Sequence, residues 1–460
     1  MSGGIITSGR LAEITGSRIY GNPDLYIHGA AADSRKCGKG DLFVAVEGER
    51  TDGNLYASGA LANGAAAVLV KKEINIPSVD GTFAVIVSDN PLKALRDAAK
   101  YIRNEHSSLK VAGITGSNGK TTTKEILASI LRAWKPGKIL ANQGNLNSDI
   151  GLPLTMFSLE RKHETAVLEM GMNRRGEIEL LASIARPDVA VITNIGSAHS
   201  GMLGSAEAVA EEKRSILSFS DNSSIALIKY DEPYLDFLVK DFKGTLKLFG
   251  EWGKNGWEKY TDLGAGGFVI YRKGMRINFR IPGIHNLFNA MAASEAALAL
   301  GAGEDSVVKG LEASVPVSGR TEIKNGEIVV IRDYYNANPE SLLAALRFYE
   351  QLETDGRKLF VMGDLLELGE TKPDALREIG EKLAEGSINT VFLFGENLSP
   401  VKEAAEKQAV HPDFFVFRSI EEIKTALKDY LKKGDSVLLK GSRGSALERL
   451  DNVLEQIGSG

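Results

Sequence analysis

Cysteine is nearly missing from this chain of 460 residues: Cys37 stands alone, so no internal disulfide can form. No basic, apolar, small-residue leader opens the sequence at Met1-Ser2-Gly3-Gly4, and the two absences together predict a cytoplasmic, reducing setting. No apolar run approaches the ~20 residues that a membrane span requires. Even the Ala-rich stretch from Asn289 to Leu300 is shorter and reads as a packed helix, so no membrane insertion is expected. An excess of positive charge is absent too. The formal net charge of -5 argues against a broad nucleic-acid surface, while a local anion site built from backbone N–H groups needs no net positive charge. Repeats of about 20–50 residues and low-complexity tracts are also lacking, which removes solenoid and linker readings.

What is present is an ordinary globular composition, 43% hydrophobic and 25% charged, with enough apolar material for real cores. At roughly 150 residues per domain the length predicts about three domains, with clefts between them. Short apolar runs at Leu42 to Val46, Ala65 to Val70 and Phe83 to Val87 flank a helix-like segment, Tyr56 to Ala62, and read as a small α/β unit, residues 1–89. Residues 90–314 open with a helical segment, Pro91 to Ile102. The strand Lys110 to Thr115 then feeds a Gly-rich turn and a helix, Thr122 to Leu131. Strands at Thr165 to Glu169 and Val189 to Asn194 alternate with the helix-like Gly176 to Ile184, the order of a mostly parallel doubly wound sheet. From Leu246 to Pro282, turn glycines and alternating strands predict an antiparallel insertion, followed by a helix from Leu287 to Leu300. Residues 315–460 form a last, Rossmann-like α/β series with strands at Val329 to Arg332, Leu359 to Met362, Thr390 to Phe394 and Ser436 to Lys440.

The residues that carry chemistry gather around the Gly-rich turn. Thr115, Gly116, Ser117, Asn118, Gly119, Lys120, Thr121 and Thr122 lie between a strand and a helix, where small residues let backbone N–H groups wrap phosphate oxygens. Lys120 is placed to meet the β/γ-phosphates and Thr121 to ligate Mg²⁺. The common G-x-x-x-x-G-K spacing needs a glycine at position 114, where Ile114 stands, so the loop is a shortened form. Glu169 ends a strand at the same sheet edge, where a carboxylate suits Mg²⁺ or serves as a cap. His199 follows another strand, with metal-site and structural readings both open. Lys213, within Glu211-Glu212-Lys213-Arg214, reads from charge pattern alone as part of a solvated helix face. Asn286 and Asn289 share a helix face and are candidates for reading an adenine edge, with Asn286 as a plain N-cap the alternative. Arg320 and Asp333 flank the start of the third unit, where a basic side chain and a carboxylate are placed to close over nucleotide.

Together these residues resemble the Mur ligase family, ATP-dependent enzymes that build the peptide of peptidoglycan precursors, and the resemblance spans essentially the whole chain. Thr115 to Thr122 is similar to the family's T-G-x-x-G-K-T-[ST] loop, and Glu169, His199, Lys213, His285 to Asn289 and Arg320 follow its later motifs in order. Asp333-Tyr334-Tyr335-Asn336-Ala337-Asn338-Pro339, Met362 to Gly369 and Lys440-Gly441-Ser442-Arg443 resemble the type that adds D-alanyl-D-alanine, with Tyr334 where serine is usual. Asp33-Ser34-Arg35 and Gly48 to Gly53 are similar to the stretches that hold the UDP-sugar end, with Thr51 where an aromatic is common. Asn145 to Gly151 is similar to a substrate-facing stretch in which Ser148 replaces an asparagine.

The resemblance implies ligation of D-alanyl-D-alanine to UDP-N-acetylmuramoyl-tripeptide through an acyl phosphate, by a monomer using ATP and two Mg²⁺ ions. It implies catalytic roles for Lys120, Glu169, His199, Lys213 and Arg320. Substrate contacts fall to Ser34, Arg35, Asn145, Asn147, Asn336 and Asn338. Metal ligation falls to Thr121, Glu169, His199 and Lys213, the last as a carbamate. Because substrates supply the nucleophiles, no catalytic Cys or Ser is needed, only positioning and charge neutralisation. A hinge is expected between Val315 and Arg320. A folylpolyglutamate-type ligase, a P-loop switch and a purely structural α/β protein are the alternatives.

Overall fold

The computed structural model describes residues 5–48, 51–72, 81–198, 200–366, 368–369, 372–396 and 398–459. Its centre is a six-stranded sheet in the order Thr245–Phe249, Ile225–Lys229, Val189–Ile192, Lys110–Thr115, Thr165–Glu169, Ile139–Ala141, parallel throughout. Period-two alternation gives the strands Val189–Ile192, Lys110–Thr115 and Thr165–Glu169 two buried faces. Val111, Ala166, Leu168, Ala190 and Ile192 point into one core, whereas Ala112, Ile114, Val167, Val189 and Val191 point into the other. The second face is covered by the helices Lys120–Trp134, Ile284–Ala299 and Glu304–Ala313, whose Ile126, Leu127, Ile130 and Leu131 recur at helical spacing.

Before it stands a five-stranded sheet, Arg18–Gly21, Ala84–Val87, Ala67–Val70, Asp41–Val44, Gly29–Ala31, with only its first pair antiparallel. One face of this sheet shares a continuous apolar core with the central sheet, running from Ile6 and Leu42 through the helix Pro91–Glu105 to Leu168 and Ile178. After it comes a second six-stranded sheet, Glu322–Asn325, Val329–Arg332, Ser436–Lys440, Lys358–Gly363, Thr390–Phe394, Asp413–Phe417, parallel but for its first pair. This third sheet packs both faces against its own helices.

The antiparallel insertion begins later than its turn residues imply. Thr245–Phe249 is a parallel edge strand of the central sheet, burying Phe249, and the separate three-stranded antiparallel sheet starts at Trp257. The break falls at Gly250, Gly253 and Gly256, all at positive φ, which is where the chain turns away.

In the central sheet, Lys110–Thr115 has a neighbour from later in the chain on each side, so the strand order reverses there. Parallel sheets open a crevice at the C-terminal ends of such strands. The glycine-rich loop, Glu169 and Asn194 all stand on that edge.

Candidate active site

A cleft of about 770 Å³ occupies this edge and is roofed by the third sheet. Its floor is the loop from Ser117 to Gly119, which Gly116 leads into. Gly116 has φ 147, and a Cβ there would lie 1.9 Å from Thr193 Oγ1. Gly119 has φ 81, and its Cβ would meet Asn289 Oδ1 at 2.3 Å. Both positions therefore demand glycine for space as well as conformation. Beyond Gly119 the helix Lys120–Trp134 begins without a side-chain cap, so its first-turn N–H groups have no intrahelical acceptor and face the cleft with Thr121 and Thr122. Asn194 stakes the loop from the next strand: its carbonyl accepts from the Ser117 N–H at 2.9 Å and its Oδ1 from the Asn118 N–H at 3.0 Å. Lys120 Nζ donates to Gly116 O at 2.7 Å, curled over the loop where phosphate would sit. Thr115 is different from its neighbours. Its buried hydroxyl donates to Met170 O at 3.0 Å, tying two strand ends together rather than facing the cleft.

Opposite the loop, Glu169 is 2% exposed. Asn147 Nδ2 donates to its Oε1 at 2.7 Å, while its Oε2 is buried with no hydrogen-bond partner among the described residues. A desolvated carboxylate oxygen without a donor is costly unless a cation answers it. Beside a phosphate loop and the Thr121 hydroxyl, this donor set fits Mg²⁺, which takes one or two carboxylates and completes its shell with phosphate and water oxygens. Asn142, which sequence reading passed over, fixes the Glu169 backbone by accepting its N–H at 2.9 Å and donating to its carbonyl at 3.0 Å. His199 lies outside the described residues.

Lys213 overturns the solvated-face reading. It is 1% exposed, and its Nζ meets Met172 Sδ at 4.0 Å. Burial, reinforced by the positive charge of Lys120, pushes its ammonium well below the ordinary lysine range. The helix Ala206–Arg214 turns Val209, Glu212 and Lys213 inward and leaves Glu211 outside, a division that an unbroken charge run conceals. Glu212 itself accepts the N–H groups of Gly176 and Ile178 at 2.7 and 2.8 Å, anchoring the helix Glu177–Ala185.

On the third-sheet side, the buried Lys440 pairs with the partly buried Asp333 at 2.7 Å, and Arg320 lies over the Tyr335 ring with its guanidinium carbon 4.1 Å from the centroid. Asn336 and Asn338 line the cleft, and Asn338 Nδ2 donates to Asn118 Oδ1 at 2.8 Å. Asn286 and Asn289 line it as well, but their amides bind one another at 2.9 Å, with Asn286 Nδ2 donating to Pro282 O. Gly283, not Asn286, is the N-cap of that helix. Asn145 and Ser148 line the cleft. The Ser148 hydroxyl accepts from the Gly151 N–H at 3.2 Å and braces the turn that leads into the helix Gly151–Met156, whose N-cap is Ile150. Ser34 and Arg35 do not line this cleft: they sit in a short 3₁₀ turn on the first sheet, with Arg35 pairing to Asp33 at 2.9 Å.

Tyr334 points to the opposite face of its sheet, 6% exposed, where its hydroxyl donates to Asp451 Oδ2 at 2.6 Å beside Arg332. Replacing it with serine is expected to lower unfolding stability by about 3 kcal/mol, the usual cost of truncating a buried aromatic. Denaturant unfolding measures that loss. Turnover falling more steeply than folded fraction would contradict this placement.

A phosphate loop at a switch point, faced by a buried carboxylate and roofed by a second parallel sheet, defines a P-loop α/β protein that works between its sheets. Residues 26–113 match the Mur ligase family catalytic domain, 114–297 the Mur ligase middle domain and 319–443 the Mur ligase glutamate ligase domain; the chain belongs to the Mur ligase family. It is 36% identical over 433 residues to the UDP-N-acetylmuramoyl-tripeptide–D-alanyl-D-alanine ligase of Bacillus subtilis, covering 92% of each chain. The ligase of the same name from Treponema pallidum is 33% identical, covering 93% of this chain and 94% of the other. The crystal structure of MurF from Acinetobacter baumannii superposes with a TM-score of 0.85 at 30% identity, covering 98% and 99% of the two chains. MurF ligase from Thermotoga maritima in complex with ADP superposes with a TM-score of 0.75 at 29% identity, covering 93% of this chain and 97% of that one.

Proposed function

We propose that this chain joins D-alanyl-D-alanine to UDP-N-acetylmuramoyl-tripeptide at the expense of ATP. The observation that carries the reading is the meeting, in one cleft, of the phosphate loop, the buried Glu169 carboxylate and the Arg320, Asp333 and Lys440 group of the third sheet. A carboxylate is a poor electrophile, so the reaction runs in two displacements. An oxygen of the tripeptide carboxylate attacks the γ-phosphorus of ATP, ADP leaves, and an acyl phosphate forms. The dipeptide amine then attacks the acyl carbon, phosphate leaves, and the nitrogen loses a proton.

The chain's part is positioning and neutralisation. The first-turn N–H groups of the helix Lys120–Trp134 hold phosphate oxygens, and Lys120 swings from Gly116 O to the β/γ-phosphates. Glu169 and Thr121 are the groups to hold Mg²⁺, which supplies charge neutralisation at the transferred phosphoryl group. Lys213, whose charged form burial disfavours, is the amine suited to take CO₂ as a carbamate and so present oxygen in place of nitrogen. Arg320 and Asp333 act on nucleotide from the third sheet. Residues 1–89 carry the UDP-sugar end through Ser34 and Arg35, residues 90–314 the nucleotide, and residues 315–460 the dipeptide. The enzyme acts as a cytoplasmic monomer; no helix of the described residues is long and apolar enough to cross a membrane.

Phosphate release should require UDP-N-acetylmuramoyl-tripeptide and D-alanyl-D-alanine together, and mass spectrometry should find the pentapeptide product. Release that ignores the dipeptide would point instead to a nucleotide switch, and activity only with glutamate and a folate would transfer the chain to the folylpolyglutamate type.

A further inference from the structure

The third sheet reaches the phosphate loop through the first turn of one helix, Pro339–Gln351. Its N-cap Asn338 accepts the Ser341 N–H at 2.9 Å and, through its Nδ2, donates to Asn118 of the loop at 2.8 Å. Two residues on, Glu340 crosses the cleft. Its Oε1 accepts the Ser197 N–H at 2.8 Å and its Oε2 accepts the Ser197 hydroxyl at 2.9 Å, although the two residues are 143 positions apart. The neighbouring Gly196 N–H donates to Ser117 Oγ at 2.8 Å, so the contact continues into the phosphate loop itself.

We infer, on the ligase reading above, that Glu340 is a positioning residue: it locks the Gly196–Ser197 turn, and the loop bonded to that turn, in register with the third sheet for phosphoryl transfer. With both its oxygens taken by Ser197, this carboxylate has none left for a cation or a nucleotide hydroxyl, and its charge repels the phosphates. What it offers is two-point geometry, with both oxygens used on one serine. Helix N-termini often carry glutamate simply for the dipole, but such a residue does not reach across a cleft to satisfy both donors of a single side chain and backbone. The cost of losing the contact therefore falls on turnover, not on nucleotide binding.

Glu340→Ala should lower kcat about tenfold while leaving ADP affinity unchanged or slightly tighter. Glu340→Gln should stay within about threefold of the parent, because one amide oxygen still accepts the Ser197 N–H and the amide nitrogen donates to its hydroxyl. Glu340→Asp, one methylene short, should resemble alanine. The double variant with Ser197→Ala should be no worse than Glu340→Ala alone, since both remove the same contact. Equal kcat for Glu340→Ala and the parent overturns the inference, as does a glutamine variant as slow as the alanine one. Amide exchange gives a readout independent of ligation: the Ser197 N–H should exchange at least about tenfold faster in Glu340→Ala, with the global unfolding midpoint unmoved. An unaltered Ser197 amide sinks the inference whether or not the parent ligates. A protected Ser197 amide in a parent that shows no dipeptide-dependent phosphate release sinks the ligase reading alone.

Discussion

Glu169→Gln is expected to reduce dipeptide-dependent phosphate release on the order of a thousandfold, the scale of removing one charge-organising group from a phosphoryl-transfer site. It should not weaken the fold. The Asn147 amide keeps its acceptor, because glutamine retains Oε1, and Asn142 holds only the backbone. What disappears is a buried negative charge whose Oε2 has no partner among the described residues, and exchanging that charge for a neutral amide makes burial cheaper. Thermal unfolding without Mg²⁺ should therefore give a midpoint equal to or above the parent's. The parent should be raised more than the variant when Mg²⁺ and ADP are added together. A variant that turns over normally would remove Glu169 from the proposed metal site, and one that melts early would recast it as structural.

Lys213 yields the second large effect. Truncation to alanine should lower turnover roughly a hundredfold, as expected for a group that supports a metal site. Its pH behaviour has a definite sign. The folded-state pKa lies well below the unfolded value, so between the two the unfolded chain binds more protons than the native one. Stability in CO₂-free buffer should then rise with pH across that window and level off near the unfolded lysine pKa of about 10.4. Lys213→Met, which keeps the length and drops the charge, should flatten the slope and be the more stable protein at neutral pH. Activity should decline in CO₂-free buffer and recover with bicarbonate. Full turnover by Lys213→Ala, or indifference to CO₂ together with a parent-like slope in Lys213→Met, would strike Lys213 from the site.

The phosphate loop was legible in the sequence because its chemistry is local: two glycines, a lysine and two threonines between a strand and a helix are sufficient. Glu169 was legible because strand ends in a parallel sheet converge on one edge. The burial of Lys213 was not, because only tertiary packing decides which side of the helix Ala206–Arg214 is buried. Asn142 and Asn194 bind backbone groups of other segments, and no spacing rule announces that. A signal did exist, since each follows a short apolar strand at the sheet edge where Glu169 stands. Tyr334 could have been placed as well. Period-two alternation puts it opposite Asp333 and Tyr335, so its departure from the usual serine concerns the far side of the sheet.

The continuous core joining the first sheet to the central one has a metric consequence. Two bodies welded by buried side chains do not slide past each other without exposing that surface, so the span from Ser34 and Arg35 to the phosphate loop is set by the fold. On the proposed reading this makes the pair a gauge. A nucleotide-sugar held at one end presents its peptide terminus to the γ-phosphate only when the peptide has the right number of residues, and chain length is selected before any side chain is inspected.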